Sequence, residues 1–152
     1  MPIERQIFLD TSALFAGIWS ATGGTRMLFK LGEAGAVKLL ISSHVSIEID
    51  GVIRRKSPTH FATFTHLLEQ SQVAIVDDPP SDLIERCTLL TAYAADGIVL
   101  AAAWNSHVDF FVTLDREHFL ANQLLQSETP FPVGTPGDCL AWYRSLLSLA
   151  GQ

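Results

Sequence analysis

Ile7-Phe8-Leu9 is an apolar run that ends at Asp10-Thr11-Ser12, and runs of the same kind recur along the chain. Val37 to Ile41 is the second, Val73 to Val76 the third, closed by Asp77-Asp78-Pro79-Pro80, and Phe110 to Thr113 the fourth. Runs this short and this apolar read as strands buried on both faces, the pattern of a parallel sheet. Helical stretches lie between them. Arg26 to Leu31 has helical character up to a stop at Gly35, after a loop at Ala21 to Thr25. Ser42 or Ser43 can cap a helix that carries Val45, Ile49, Val52 and Ile53 on one face. Ser57-Pro58 predicts a cap and a first-turn proline leading into Phe61, Phe64, Leu67 and Leu68. Asp82-Leu83-Ile84-Glu85 has the form of a capping box opening a helix through about Tyr93. A further helix begins near Asp96, and its run Ile98 to Trp104, apolar all round, belongs at the centre. Phe131-Pro132-Val133 predicts a short edge strand, where proline is tolerated. Thr135-Pro136-Gly137-Asp138 caps a last helix through Leu140, Tyr143, Leu146 and Leu147. Strands alternating with helices, joined by right-handed crossovers, predict a three-layer α/β/α sandwich with a central, mostly parallel sheet. No repeat or linker divides the 152 residues, so residues 1–152 are expected to form a single domain.

A sheet of this kind takes its ligand at the carboxyl ends of its strands. Asp10 follows the first strand and Asp115 the fourth; Asp96 opens the helix before the fourth, and Glu48 lies about one turn into the helix after the second. Four carboxylates in one cleft repel one another unless something compensates them, and a divalent cation does. Carboxylates without a Cys or His cluster suit Mg²⁺ or Mn²⁺. Each residue also has an ordinary structural role open to it: Asp10 and Asp96 as helix caps, Asp115 as the close of a turn, Glu48 as a solvated helix position.

Composition narrows the alternatives. Hydrophobic residues make up 48% and charged ones 17%, which excludes a disordered chain. Lys and Arg number 10 against 16 Asp and Glu, for a formal net charge of −6, which excludes a simple basic nucleic-acid module. The longest unbroken apolar stretch, Ile98 to Trp104, falls far short of the ~20 residues that span a bilayer. Met1 to Gln6 lacks the basic-then-apolar order of a secretory leader, and Cys87 and Cys139 stand alone as small buried residues, so a cytoplasmic location is expected. The low charge content predicts self-association.

Ile7-Phe8-Leu9-Asp10-Thr11-Ser12-Ala13-Leu14 resembles the opening of the PIN-domain nucleases, where apolar residues precede Asp-Thr-Asn or Asp-Thr-Ser. Ser42 to Ile49 resembles their second motif, a serine-capped helix presenting one glutamate, here Glu48. Asp96 to Ala103 looks like the third, an Asp leading an alanine-rich buried helix, and Asp109 to Leu120 looks like the fourth, a strand ending in Val-Thr-x-Asp. Val133 to Leu140 is similar to the closing Thr-Pro helix, so the resemblance runs in order over nearly the whole chain. Two departures stand out: Ala94-Ala95 occupies the place where many relatives carry a second acid, and Leu114 stands where they often have glycine. Within the family, Ala16 to Gly24 looks like the toxin components of toxin–antitoxin systems, the VapC-like group.

The resemblance implies a Mg²⁺- or Mn²⁺-dependent endoribonuclease that hydrolyses single-stranded RNA to a 5′-phosphate and a 3′-hydroxyl. It gives Asp10, Glu48, Asp96 and Asp115 as catalytic metal ligands for one or two ions, Asp10 and Asp96 innermost. Ser12 and Thr113 are placed to orient water or a ligand carboxylate, or to cap. Arg26, Arg54, Arg55, Lys56 and Arg116 offer positive ground for RNA phosphates, although Arg54 to Lys56 also suit the carboxyl end of a helix. The partners implied are the RNA, an antitoxin protein and a second copy of the chain, the last through apolar Phe61, Phe64, Leu67 and Leu68. Other functions leave their own marks. A phosphorylation receiver wants an acidic pair after its first strand and a late lysine, yet no Lys follows Lys56; a haloacid-dehalogenase-type phosphatase wants Asp-x-Asp where Asp10-Thr11-Ser12 stands. A PIN-like module that binds a partner or RNA without cutting is the remaining alternative.

Overall fold

The computed structural model describes residues 4–151, so Met1 to Ile3 of the opening segment considered above lie outside it. Its five strands are β1 (Arg5–Leu9), β2 (Val37–Ile41), β3 (Ala74–Ile75), β4 (Phe110–Val112) and β5 (Val133–Gly134). They form one sheet in the order β3-β2-β1-β4-β5, with every neighbouring pair parallel. In the central strand β1, Ile7, Phe8 and Leu9 are fully buried, and Phe8 stacks on Phe111 of β4 at 5.3 Å. The edge strands are the shortest, two residues each, which leaves little unpaired backbone for another chain to join.

The helices are α1 (Thr11–Trp19), α2 (Gly24–Glu33), α3 (Ser43–Lys56), α4 (Phe61–Gln70), α5 (Ser81–Thr91), α6 (Ala94–Asn105), α7 (Gln123–Glu128) and α8 (Pro136–Ala150). α2 packs with α1, α4 and α8, while α5 packs with α6 and α7; the sheet lies between helical layers, the PIN-like α/β/α architecture. Local chemistry sets most of the boundaries. Ser42 caps α3 by accepting from Val45 N, and Thr135 with Asp138 forms a complete capping box ahead of Pro136 at the start of α8. Gly35, at φ 73°, takes the left-handed conformation that ends α2. Arg26 lies back over the end of α1, its guanidinium donating to Gly17 O at 2.8 Å and Ile18 O at 3.2 Å. Cys87 and Cys139 are buried, and burial pushes their thiols up to about 11 and about 12.

Several expectations need correction. No capping box forms at Asp82 to Glu85: the extended Pro80 holds the cap position and offers no side-chain acceptor, so α5 opens at Ser81. That helix stops at Thr91, where Ala92 turns left-handed at φ 67°, and Tyr93 then caps α6. Asp96 therefore sits within the first turn of α6, two residues inside its start. The Ser57 side chain caps no helix either; its hydroxyl meets His60 Nδ1, and a 3₁₀ turn at Pro58–His60 precedes α4. The third and fifth strands are shorter than, or shifted from, the apolar runs that announce them. Of the apolar residues of α4, Phe64 is buried at 5%, whereas Phe61, Leu67 and Leu68 are half-buried, Phe61 and Leu68 packing on the same core.

α5 and α6 come close at Gly97, where an added Cβ would lie 2.7 Å from Thr88 Cα and 2.8 Å from Thr88 N. Both are backbone atoms that cannot swing aside. Gly97→Ala is expected to destabilise the fold by about 1–3 kcal/mol through overpacking. It should also move its neighbour Asp96. Thermal unfolding checks the first effect; a melting temperature equal to wild type would show that the two helices can separate freely.

Candidate metal centre at the carboxyl ends of the strands

From β1 the chain winds to β2 and β3 on one side, then returns across β1 to β4 and β5 on the other. The carboxyl ends of β1 and β4 thus lie side by side at the point where the winding reverses, the place where open α/β sheets bind ligands. Asp10 leaves β1 there with its backbone N–H on Val112 O at 3.0 Å, and Thr113 leaves β4 with its N–H on Gly134 O at 2.9 Å.

The two strand ends are tied together by side chains. Asp10 accepts from Thr11 N at 2.7 Å, from the Thr113 hydroxyl at 2.7 Å and from the Ser12 hydroxyl at 3.2 Å. The Ser12 hydroxyl accepts from Leu114 N and the Thr113 hydroxyl from Asp115 N, each at 3.0 Å. Leu114 is 43% exposed and leaves this turn intact. Asp10 is both helix cap and buried carboxylate, 8% exposed. Burial pushes its carboxyl up to about 6, against those three hydrogen bonds, and the charge of Asp96 adds to the rise.

A cleft of about 380 Å³ opens beside Asp10, lined also by Glu48, Asp96, Asp115 and Lys56. The four carboxylates expected to converge do line one cavity. Two of these acids, Asp96 and Asp115, form a tighter group with His118, which does not itself line the cleft, with one ligand atom from each within 4.8 Å of the others. His118 Nδ1 lies 2.7 Å from Asp96 Oδ2 and 3.2 Å from Asp115 Oδ2, and Tyr93 stacks on its ring at 4.1 Å. Asp10 and Glu48 stand outside that tight group. Asp10 is turned to the strand-end hydroxyls, and Glu48, half exposed on α3, has His44 Nε2 at 3.5 Å. The Asp96 carboxyl is raised, chiefly by burial and then by the charges of Asp115 and Glu48, while His118 opposes the rise.

The cationic candidates separate. Lys56 lines the cleft, at the last residue of α3. Arg26 is taken up by the end of α1, and Arg54 bonds Asp50 at 2.9 Å and covers the Phe61 ring at 4.1 Å. Arg55 is exposed and does not line the cleft, and Arg116 lines a separate hollow with Thr135 and Asp138. His118 was not singled out from sequence. Its spacing of three from Asp115 was the available signal, but a lone histidine among charged residues reads as surface until the backbone turn at Arg116–Leu120 folds it back.

The donor set suits a hard divalent cation. It offers carboxylate oxygens, one imidazole and no thiolate, and several of the acids carry a mutual repulsion that a cation would relieve.

No protein-family model and no curated protein matches the chain by sequence. Solved structures match by shape. The protein PAE2754 from Pyrobaculum aerophilum aligns at TM-score 0.58 and 20% identity, over 99% of this chain and 100% of that one. VapBC2 from Rickettsia felis, bound to a DNA fragment from its promoter, aligns at TM-score 0.64 and 12% identity, over 84% and 96%. VapC20 from Mycobacterium tuberculosis, a toxin that cleaves the sarcin-ricin loop, aligns at TM-score 0.52 and 17% identity, over 76% and 94%. The likeness is one of fold: the chain shares the PIN-like architecture of these VapC and VapBC proteins.

Proposed function

We propose that the chain is a metal-dependent endoribonuclease of single-stranded RNA, one domain acting as the toxin of a toxin–antitoxin pair. The observation that carries the reading is the single cleft at the strand reversal, lined by Asp10, Glu48, Asp96 and Asp115 with Lys56 beside them. The resemblance of the four sequence motifs supports it, and so does a fold shared with a toxin described as cleaving the sarcin-ricin loop.

Asp10 and Asp96 would be the innermost ligands, with Glu48 and Asp115 holding a second ion directly or through water and His118 at hand between Asp96 and Asp115. When bound, a divalent ion neutralises the phosphate and lowers the pKa of the attacking water. The protein's own groups supply orientation. Ser12 and Thr113 hold the Asp10 carboxylate in place by both donating to Oδ2, while Oδ1, bonded by Thr11 N alone, keeps a lone pair for the cleft. Lys56 gives the cleft a positive side for a phosphate oxygen, which offsets the repulsion between an acidic chain and RNA.

The partner proposed is an antitoxin, supported by the fold shared with VapBC2. Incubation with a mixed RNA pool tests the enzyme directly. Cleavage that appears with Mg²⁺ or Mn²⁺, disappears with a chelator and leaves 5′-phosphate ends is the expected result. Intact RNA in both metals would leave a binding module in its place. The reading includes a homodimer: light scattering at micromolar concentration should give twice the 16.6 kDa chain mass, and a single-chain mass throughout would end that part alone. No helix among the described residues is long and apolar enough to cross a membrane.

A further inference from the structure

Arg116 directly follows Asp115, and the two side chains part: Asp115 lines the acidic cleft, Arg116 a second hollow of about 460 Å³. The cleft lies where β1 ends against β4. The hollow lies one strand further along the same edge of the sheet, since Val133 of β5 and Thr135 just after it form part of its wall. Thr113 N on Gly134 O holds these two strand ends together. Arg116 is exposed, and among the described residues it makes no ion pair and donates no side-chain hydrogen bond. Arg26 and Arg54 differ, the one spent on carbonyls and the other on Asp50. Asp138 lines the hollow too, but its Oδ2 accepts from Thr135 N at 2.9 Å, at the positive end of α8. The Thr135 hydroxyl accepts from Asp138 N at 3.1 Å, which leaves its own proton to donate. An unpaired guanidinium and a free hydroxyl proton thus share one hollow, a single peptide bond away from a candidate metal ligand.

We propose that this hollow is a phosphate subsite, in which Arg116 with Thr135 holds the RNA phosphodiester next to the one in the acidic cleft; this rests on the nuclease reading above. The strand then runs along the carboxyl edge of the sheet, across the ends of β1, β4 and β5. A guanidinium presents a planar fork of N–H donors that matches two phosphate oxygens at once. Placed just outside the carboxylates, it attracts the strand without pairing with the acids that a cation needs. The contact reads backbone and not base, so it sets the register of the strand over the cleft and adds no sequence preference.

The test compares Asp10→Asn, which keeps the RNA whole, with the double variant Asp10→Asn/Arg116→Gln. Fluorescence anisotropy in Mn²⁺ follows a labelled ten-nucleotide single strand, and a set of strands that each carry one uncharged methylphosphonate linkage. Arg116→Gln is expected to weaken the unmodified strand about tenfold and to lower the slope of log affinity against log salt by about 0.7, the share of one phosphate contact on a single strand. Arg116→Lys should keep the slope. At one linkage, beside the one that wild type cuts, neutralising the phosphate should weaken binding only while Arg116 is present. No loss of affinity, a loss with the slope unchanged, or equal sensitivity of both proteins at every neutral linkage would overturn the subsite. Wild-type cleavage, scored in parallel, keeps the two readings apart. Cutting without an Arg116 effect ends the subsite alone, and binding with the expected slope change but no cutting ends the nuclease reading alone. Wild-type protein that neither binds nor cuts RNA ends both.

Discussion

Asp10→Asn is expected to abolish more than about 99% of RNA cleavage while leaving the protein folded, and to raise the melting temperature of the metal-free form. The first effect follows from ligand chemistry. An amide keeps the shape of the carboxylate but is a poorer ligand for a hard cation, and Asp10 stands where β1 ends against β4. The second follows from burial. The carboxyl is 8% exposed and lifted from 3.8 to about 6, so its ionisation at neutral pH costs the folded state on the order of 2–3 kcal/mol. Asparagine removes that cost yet keeps an acceptor for Thr11 N, and the Ser12 and Thr113 hydroxyls can rotate to accept from its amide. RNA cleavage and differential scanning calorimetry read the two effects separately. Wild-type cleavage rates in the variant would remove Asp10 from the site; a lower melting temperature would show that its hydrogen bonds outweigh its burial.

The fold was legible because its strands are buried on both faces. Ile7-Phe8-Leu9 is wholly apolar and Val37 to Ile41 interrupts its apolar residues only with the exposed Lys38, and the winding order then leaves their carboxyl ends along one edge. What the sequence misjudged lies at the ends of elements. Asp82 to Glu85 matches a capping box as a pattern, but Pro80 occupies the cap and the box needs a side chain there. Phe64 looks like docking surface beside Phe61 and Leu68 because helical periodicity cannot say which partner a face meets.

The candidate site was half legible for a related reason. Asp10 and Asp115 follow strands directly, so a correct strand assignment fixes where they stand. Glu48 and Asp96 ride on helices, and their arrival at the same cleft depends on how α3 and α6 cross, which includes the close approach of Gly97 to Thr88. His118 depends on a single irregular turn and has no periodicity to reveal it. Arg26 shows the reverse error: a lone arginine after a glycine loop looks free until the carbonyls at the end of α1 claim it.

Metal binding and metal-free stability should respond to pH in opposite directions. In the metal-free protein the Asp10 carboxyl titrates near 6 when folded and near 3.8 when unfolded, so between these values the native state holds the extra proton. Stability therefore falls as pH rises through that window, and the loss is complete by about pH 7. The raised Asp96 carboxyl acts with the same sign. A cation needs the deprotonated carboxylate, so that same proton is its competitor. For one group titrating near 6, the deprotonated fraction rises about tenfold between pH 5 and 7, and Mn²⁺ affinity should rise with it. Isothermal titration calorimetry at the two pH values reads the affinity, and thermal melts in chelator, wild type against Asp10→Asn, isolate the part due to this carboxyl. The wild-type curve should drop relative to the variant as pH rises from 5 to 7, and adding Mn²⁺ at pH 7 should restore it. Affinity that stays flat over this range would mean that the cation does not displace a proton from the cleft, and the crowded-carboxylate account of the site would fall with it.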